Sequence, residues 1–388
     1  AANASRPLMP RPPFECIALT LQGGGALGAY QAGVFQALTE AGIEPDWVAG
    51  ISIGAINAAI IAGNAPAERV AKLKGFWDEI TAQPAWAPLS WLEPAAVASE
   101  KGRQFFNQLS AAKAMLHGVP DFFTPRFPPP NMQPTGSSGA ISYYDTAPLR
   151  ATLERYVDFD RINAGRMRLS VGTVNVRTGN FVYFDTADKT QRIDPKHIMA
   201  SGALPPGFPA IEIDGEHYWD GGLVSNTPLQ WVLEHGTRQD TLTFQVDLWS
   251  ARGRLPQNMM EVATRQQEII YSSRTRDNVS TFIESERLRN AIAELLEEMP
   301  AKQRASKEMS ALRALSERKV YNIVHLIYRT RKYEGDSKDY EFSQLSMHDH
   351  WDAGYKDTVH TLQHREALEP TTNKDGIACF DFTEHETA

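Results

Sequence analysis

The chain is poor in cysteine, in long apolar runs and in excess positive charge, and each shortage removes a class of protein. Cys16 and Cys379 are its two cysteines in 388 residues. That is too few for a disulfide framework, although it does not fix the compartment. No run of about 20 apolar residues occurs, so no membrane-spanning helix is expected. Lysine and arginine number 39 against 47 aspartates and glutamates, a formal net charge of −8. That balance argues against a nucleic-acid partner gripped through its phosphates. His348 and His350 are not at the interval that shares a helix face, and no other metal motif occurs. No internal repeat is found. The visible N-terminus lacks the apolar core of a signal peptide. The chain starts at Ala1 rather than Met, and a leader already removed would leave no trace.

What the chain does have is two short glycine signals one supersecondary unit apart. The first, Gln22-Gly23-Gly24-Gly25-Ala26-Leu27-Gly28, follows the strand-like run Cys16 to Leu21 and opens into a helical stretch, Tyr30 to Leu38. The second, Gly50-Ile51-Ser52-Ile53-Gly54, follows Trp47-Val48-Ala49 and opens into Ala55 to Ile61. Serine between two glycines at a strand-to-helix turn is the nucleophile-elbow pattern. A glycine loop at a helix N-terminus offers unpaired backbone N–H groups to an oxyanion or a phosphate. Two functional readings follow. In a parallel sheet both strand ends would lie together, so the Gly24 and Gly25 N–H groups could serve an oxyanion on Ser52. Alternatively Gly23, Gly25 and Gly28 form a dinucleotide fingerprint, with Glu44 or Asp46 as the ribose acid. That second reading leaves Ser52 and its glycines unexplained.

A serine hydroxyl needs a base. His117, His217, His235 and His325 sit in unrelated contexts, and His348, His350, His360 and His364 lie in a polar helical stretch. Asp220, in Trp219-Asp220-Gly221-Gly222, is the better candidate. A carboxylate can act as a general base when burial raises its pKa and it reaches the serine. Asp-Gly is also a common turn, and Asp220 alone does not separate the two readings.

Along the chain, residues 1–14 are rich in proline and small residues and read as a flexible lead-in. Residues 15–75 read β-α-β-α, which predicts a parallel sheet covered by helices. Residues 76–140 break that pattern with clustered Trp and Phe among prolines. They read either as an irregular packed insertion or as a lid and apolar substrate wall. A hairpin is expected around Thr178-Gly179 and another around Asp214-Gly215. Strands are expected at Leu242 to Leu248 and Val320 to Tyr328. From about residue 256 charged helical segments dominate. Leu288, Ile292 and Leu295 fall at helical spacing, Ser346 to Leu368 reads as a final helix, and the acidic tail from Glu369 reads as mobile.

Gly23 to Gly28, Gly50 to Gly54 and Asp220-Gly221-Gly222 together resemble the three signatures of the patatin-like phospholipase family. Ser201 to Pro209 and Asn226-Thr227-Pro228 are also similar to the family pattern. The resemblance spans roughly residues 15–250. It implies a three-layer α/β/α fold with a mainly parallel central sheet, and hydrolysis of lipid acyl esters by a serine–aspartate dyad without histidine. Carried over residue by residue, Ser52 is the nucleophile, Asp220 the base, and the loop at Gly23, Gly24 and Gly25 the oxyanion hole. Gly28, Gly50, Gly54, Gly221 and Gly222 are the motif glycines. Leu27 departs from the family, many of whose members carry Arg or Lys there. The section with Ser343 to Met347 and Trp351 to Tyr355 is similar to an extension of a bacterial subgroup. The expected organisation is therefore a catalytic domain at 15–250, a helical extension at 251–368 packed on it, and a tail at 369–388. The expected protein is a serine lipid acyl hydrolase of phospholipase A or esterase type. It needs no metal or cofactor and is placed in the bacterial cytoplasm or at a membrane periphery touched through residues 76–140. An acyltransferase on the same dyad stays open, as do head group, acyl length, positional selectivity and oligomeric state. From another class, a dinucleotide-binding oxidoreductase stays open.

Overall fold

The computed structural model describes residues 9–82, 99–272, 275–331, 333–335 and 337–383. The buried run Cys16–Leu21 forms β1, and Trp47–Ile51 forms β2. Short strands β3 (Thr124–Pro125) and β4 (Tyr144–Asp145) pair with each other. Then come β5 (Arg168–Asn175), β6 (Phe181–Asp185), β7 (Ile211–Ile213) and β8 (Glu216–Asp220). β9 (Thr241–Asp247), β10 (Tyr321–Ile327) and β11 (Ile377–Asp381) follow. Among the described residues, one sheet runs β11-β10-β9-β1-β2-β5-β8-β7, with β6 also paired to β5. From β11 to β5 every pairing is parallel; β6, β7 and β8 add an antiparallel end.

The strands are apolar on both faces because both faces are covered. Side chains alternate across a strand. Ile17, Leu19 and Leu21 pack with Val34, Phe35 and Ile56 on one side, while Cys16 and Ala18 meet Trp47 and Val232 on the other. Helices Ala29–Glu40, Ile53–Ala62 and Arg69–Ile80 lie on the first side. Helices Leu229–His235 and Thr275–Glu298 lie on the second, through Leu229, Leu233 and Phe282. This is the expected three-layer arrangement. Both hairpins also form, with Asp214 and Gly215 at positive φ in the second, as a tight two-residue hairpin turn requires.

The C-terminal section differs from a helical extension laid on a finished domain. β10 pairs in register with β9 (Tyr321 with Thr241) and β11 with β10, so the section completes the central sheet. Part of the tail is thus an edge strand rather than a mobile segment; its acidic flanks hide a strand of five residues, Ile377–Asp381. Helix Gln344–Thr361 crosses helix Ala29–Glu40 with the two backbones in contact. A Cβ on Gly33 would overlap the Trp351 carbonyl, and one on Gly354 the Tyr30 carbonyl. The Tyr30 hydroxyl donates to Asp357 (2.8 Å) and Trp351 Nε1 to Gln36 (2.7 Å) across the same crossing.

Three other expectations change. Of the lead-in, residues 9–14 are docked: Met9 N–H donates to the Ala41 carbonyl, Arg11 pairs with Asp46, and Phe14 is buried. Of the 76–140 insertion, Phe76 and Trp77 belong to the core helix Arg69–Ile80, while Trp86 and Trp91 lie outside the described residues. Helix Glu100–His117 follows, started by Ser99, whose hydroxyl accepts the Gly102 N–H (3.0 Å), and stopped by Gly118 at positive φ. Finally, Leu288 and Leu295 face solvent. Helix Thr275–Glu298 instead buries Phe282, Ala293, Leu296 and Glu286, the last held by Arg238 and Arg289. Among the described residues, no helix is long and apolar enough to cross a membrane.

Candidate active site

The ends of β1 and β2 place the two glycine signals side by side, because Leu21 is in register with Gly50. Ser52 follows β2 directly and has φ 57° and ψ −126°, a conformation costly for any residue with a side chain. The surrounding structure imposes it. The Ser52 N–H donates to Ser201 Oγ (2.9 Å), whose own hydroxyl donates to the Gly172 carbonyl (2.6 Å). Gly50 and Gly54 allow the turn: a Cβ on Gly50 would overlap the Gly54 carbonyl, and one on Gly54 would overlap that of Leu21. The elbow thus presents the Ser52 hydroxyl at the start of helix Ile53–Ala62, a helix buried along its whole length.

Asp220 ends β8, which pairs antiparallel with β5 and sets Asp220 opposite Thr173. Its carboxylate accepts the Gly222 N–H at 2.7 Å and lies beside the Ser52 hydroxyl, which helps to lower its pKa. The turn reading and the base reading of Asp-Gly-Gly are therefore both compatible with one geometry. Asp220 caps the short 3-10 turn Gly221–Leu223 with the same carboxylate that meets the serine. It is 2% exposed. Burial penalises its charged form and pushes its pKa to about 7, even though the hydrogen bonds from Ser52 and Gly222 pull the other way. A carboxyl at that value exchanges a proton readily near neutral pH.

The glycine loop is held by a buried chain of amides. Trp77 Nε1 donates to Asn57 Oδ1 (3.0 Å), and Asn57 Nδ2 to Gln31 Oε1 (2.9 Å). Gln31 Nε2 donates to the Gln22 carbonyl (2.6 Å), and Gln22 Oε1 accepts the N–H groups of Leu248 and Trp249. Asn226 Nδ2 and Trp249 Nε1 both donate to the Gly23 carbonyl at 2.9 Å. The Gly23 N–H points to the Asn226 carbonyl at 3.4 Å. Among the described residues, no acceptor takes the N–H of Gly24 or Gly25. The loop's far side rests on the C-terminal section, where the Asp339 carbonyl accepts the Ala26 N–H (2.7 Å) and abuts Gly25.

Ser52, Asp220 and Gly23 to Gly25 border one cavity of about 480 Å³. Its walls are largely apolar and aromatic: Phe122 and Phe123 from the insertion, Tyr144 from β4, Phe208 from the segment after helix Pro195–Ser201, Trp249 after β9, and Phe342 from the C-terminal section. No histidine among the described residues borders it. Leu27 is fully buried in the core and does not border it either. Gly50 and Gly54 serve the elbow, Gly28 makes room for the Ile53 and Trp77 side chains, Gly221 lies close against the Gly172 carbonyl, and Gly222 supplies an N–H. The proposed ribose acids lie elsewhere. Asp46 precedes β2 and accepts the Ile17 N–H, at the opposite end of the strands from the glycine loop, and Glu44 pairs with Arg69 there. Trp249, Asp339 and Phe342 were not singled out in the sequence, since no local motif marks them. Ser201 and Asn226 stood inside the family-like segments, but with no role attached.

A family model described as patatin-like phospholipase matches residues 19–233, more than half of the chain. This chain belongs to the patatin-like phospholipase family. A second model, described as patatin phospholipase, matches residues 269–374 and so covers most of the C-terminal section of this patatin-like chain. The curated lysophospholipase nte1 of Aspergillus terreus is 53% identical over 49 residues, which are 13% of this chain and 3% of that protein. The patatin-like chain thus matches only a small part of that relative's length. VipD from Legionella pneumophila is 16% identical over 91% of this chain and 67% of its own, with a TM-score of 0.37. A chain of the SpcU–ExoU complex from Pseudomonas aeruginosa is 17% identical over 76% of this chain and 59% of its own, with a TM-score of 0.27.

Proposed function

We propose that this patatin-like protein is a lipid acyl hydrolase working through Ser52 and Asp220. One observation carries the reading: a serine in a strained backbone conformation stands beside a buried carboxyl whose pKa burial raises to about 7, both bordering one aromatic-walled cavity. Asp220 takes the Ser52 proton as Oγ attacks the ester carbonyl. The N–H groups of Gly24 and Gly25 receive the tetrahedral oxyanion. Asp220 then gives its proton to the departing alcohol, leaving Ser52 acylated. Water, deprotonated by Asp220, attacks the acyl-enzyme, and the proton returns to Ser52 as the fatty acid leaves. The cavity's apolar walls suit an acyl chain. An acyltransferase would use the same steps with an alcohol in place of water.

The same segment offers a lipid-facing surface. Phe105, Leu109 and Leu116 are exposed along helix Glu100–His117, and exposed Met115 and Tyr143 also border the cavity. We place the protein at a membrane periphery on that basis, with this side against the lipid. The direct test is hydrolysis of esters of graded chain length beside defined phospholipids, with Ser52→Ala as control. Loss of all hydrolysis in Ser52→Ala supports the reading. Hydrolysis that survives the substitution overturns it.

A further inference from the structure

Adjoining the catalytic cavity is a second one of about 220 Å³. Ile80, Ala114 and Val119 contribute apolar surface to it, and Lys113 and His117 also border it. Three residues border both cavities: Ala114, Phe123 and Phe342. The two phenylalanines come from distant parts of the chain and meet edge to face, with ring centroids 6.5 Å apart and planes at 72°. Phe122 and Phe208 extend the same cluster, Phe208 lying 5.0 Å from Phe123 and Phe122 lying 6.1 Å from Phe342.

Each ring is fixed by its backbone. Phe123 and Val119 exchange both N–H···O bonds (3.0 and 3.1 Å), which closes a tight loop just after helix Glu100–His117. Phe342 stands between buried Glu341, whose carboxylate accepts the Ser343 N–H (2.9 Å), and Ser343, which caps helix Gln344–Thr361. With their backbones anchored and their rings packed on Phe122 and Phe208, the two phenylalanines form a wall. That wall stands between the apolar space beside Ser52 and the adjoining second cavity.

We infer that Phe123 and Phe342 form a partition that sets the longest acyl chain this protein accommodates, and that the cavity behind them is a site for the distal part of a longer chain. The inference rests on the acyl-hydrolase reading for the identity of the ligand. It also assigns the C-terminal section a part in selectivity, since Phe342 belongs to that section. An acyl chain lying from Ser52 to the partition gains contact with each added methylene. Beyond the partition, added methylenes find no apolar space and gain nothing. Shrinking the wall joins the two cavities and restores the gain.

The test separates binding from chemistry. In full-length Ser52→Ala protein, saturated fatty acids of graded length are titrated against a fluorescent acyl probe. With the wall intact, affinity is expected to rise about fourfold per methylene and then level off at one length. In Phe342→Val and Phe342→Ala the rise should continue for several methylenes past that length. Thermal unfolding establishes that each variant is folded. If Phe342→Ala fails to fold, Phe342→Val and Phe123→Leu carry the comparison. An unchanged break point in folded variants overturns the inference, as does an absence of any break or of any binding in the parent. Hydrolysis assays on the protein with Ser52 intact are read independently. Their failure would remove the hydrolase reading while leaving the length series standing as a binding result.

Discussion

Replacing Asp220 by asparagine keeps the side chain's shape and its acceptor for the Gly222 N–H, but removes the charge. In the folded protein burial raises the carboxyl pKa to about 7 from an ordinary 3.8. Because the folded value is raised, the native state favours the protonated form. Its stability is intact below the unfolded pKa and declines as pH rises from there through about 7. Above that point the buried charge costs about 4 kcal/mol. Asp220→Asn should therefore be more stable than the parent at about pH 8, by up to about 4 kcal/mol, and the gain should shrink toward zero by about pH 4. Urea unfolding of both proteins across that range measures it directly. The same variant should lose about two to four orders of magnitude in hydrolysis. A stabilised but inactive protein is the expected trade where a strained, charged site serves function. A variant that is less stable at alkaline pH, or whose gain does not vary with pH, would refute the reasoning.

Hydrolysis by the parent should rise with pH through about 7 as Asp220 gives up its proton, tracked as kcat/KM against pH. Because a free imidazole titrates at about 6.5, the profile must be paired with substitutions. His117→Ala, His197→Ala, His217→Ala, His235→Ala and His325→Ala should each keep activity within about tenfold. Asn57→Ala leaves the Trp77 indole, the Gln31 amide and the Gly28 carbonyl short of a buried partner, and should lower stability by roughly 3 kcal/mol in urea unfolding. Leu116→Glu should weaken sedimentation with phospholipid vesicles by about tenfold or more while sparing short soluble esters.

Much of the site was legible because its parts are local. Gly-x-Ser-x-Gly must sit in a turn where a Cβ at 50 would strike the Gly54 carbonyl, a constraint within five residues, whereas the Gly54 constraint comes from the Leu21 carbonyl on β1. The β-α-β-α start was legible for the same reason, since each strand is a short apolar run followed by a helix. Asp220 was harder. Its sequence context is an ordinary turn, and only its approach to Ser52 across the sheet and its burial raise its pKa. What could not be read locally was contributed by chain far away. Asp339 props the glycine loop, Trp249 bonds the Gly23 carbonyl, and Phe342 walls the cavity, each supplied by segments whose own residues look unremarkable. β11 was hidden among acidic neighbours, and a parallel edge strand announces itself only through its partner, β10. Leu288 and Leu295 misled because helical spacing shows that apolar residues share a face but not which face is covered; here Phe282, Ala293 and Leu296 are buried.

The central claim is that Ser52, activated by Asp220, carries the acyl group. Organophosphonate labelling followed by peptide mass spectrometry tests it most directly. The account predicts a single phosphonyl adduct on Ser52, abolished activity in step with labelling, and labelling of Asp220→Asn slowed by about two orders of magnitude or more. An adduct on another residue with Ser52 untouched, or equally fast labelling of the Asp220→Asn protein, would contradict it.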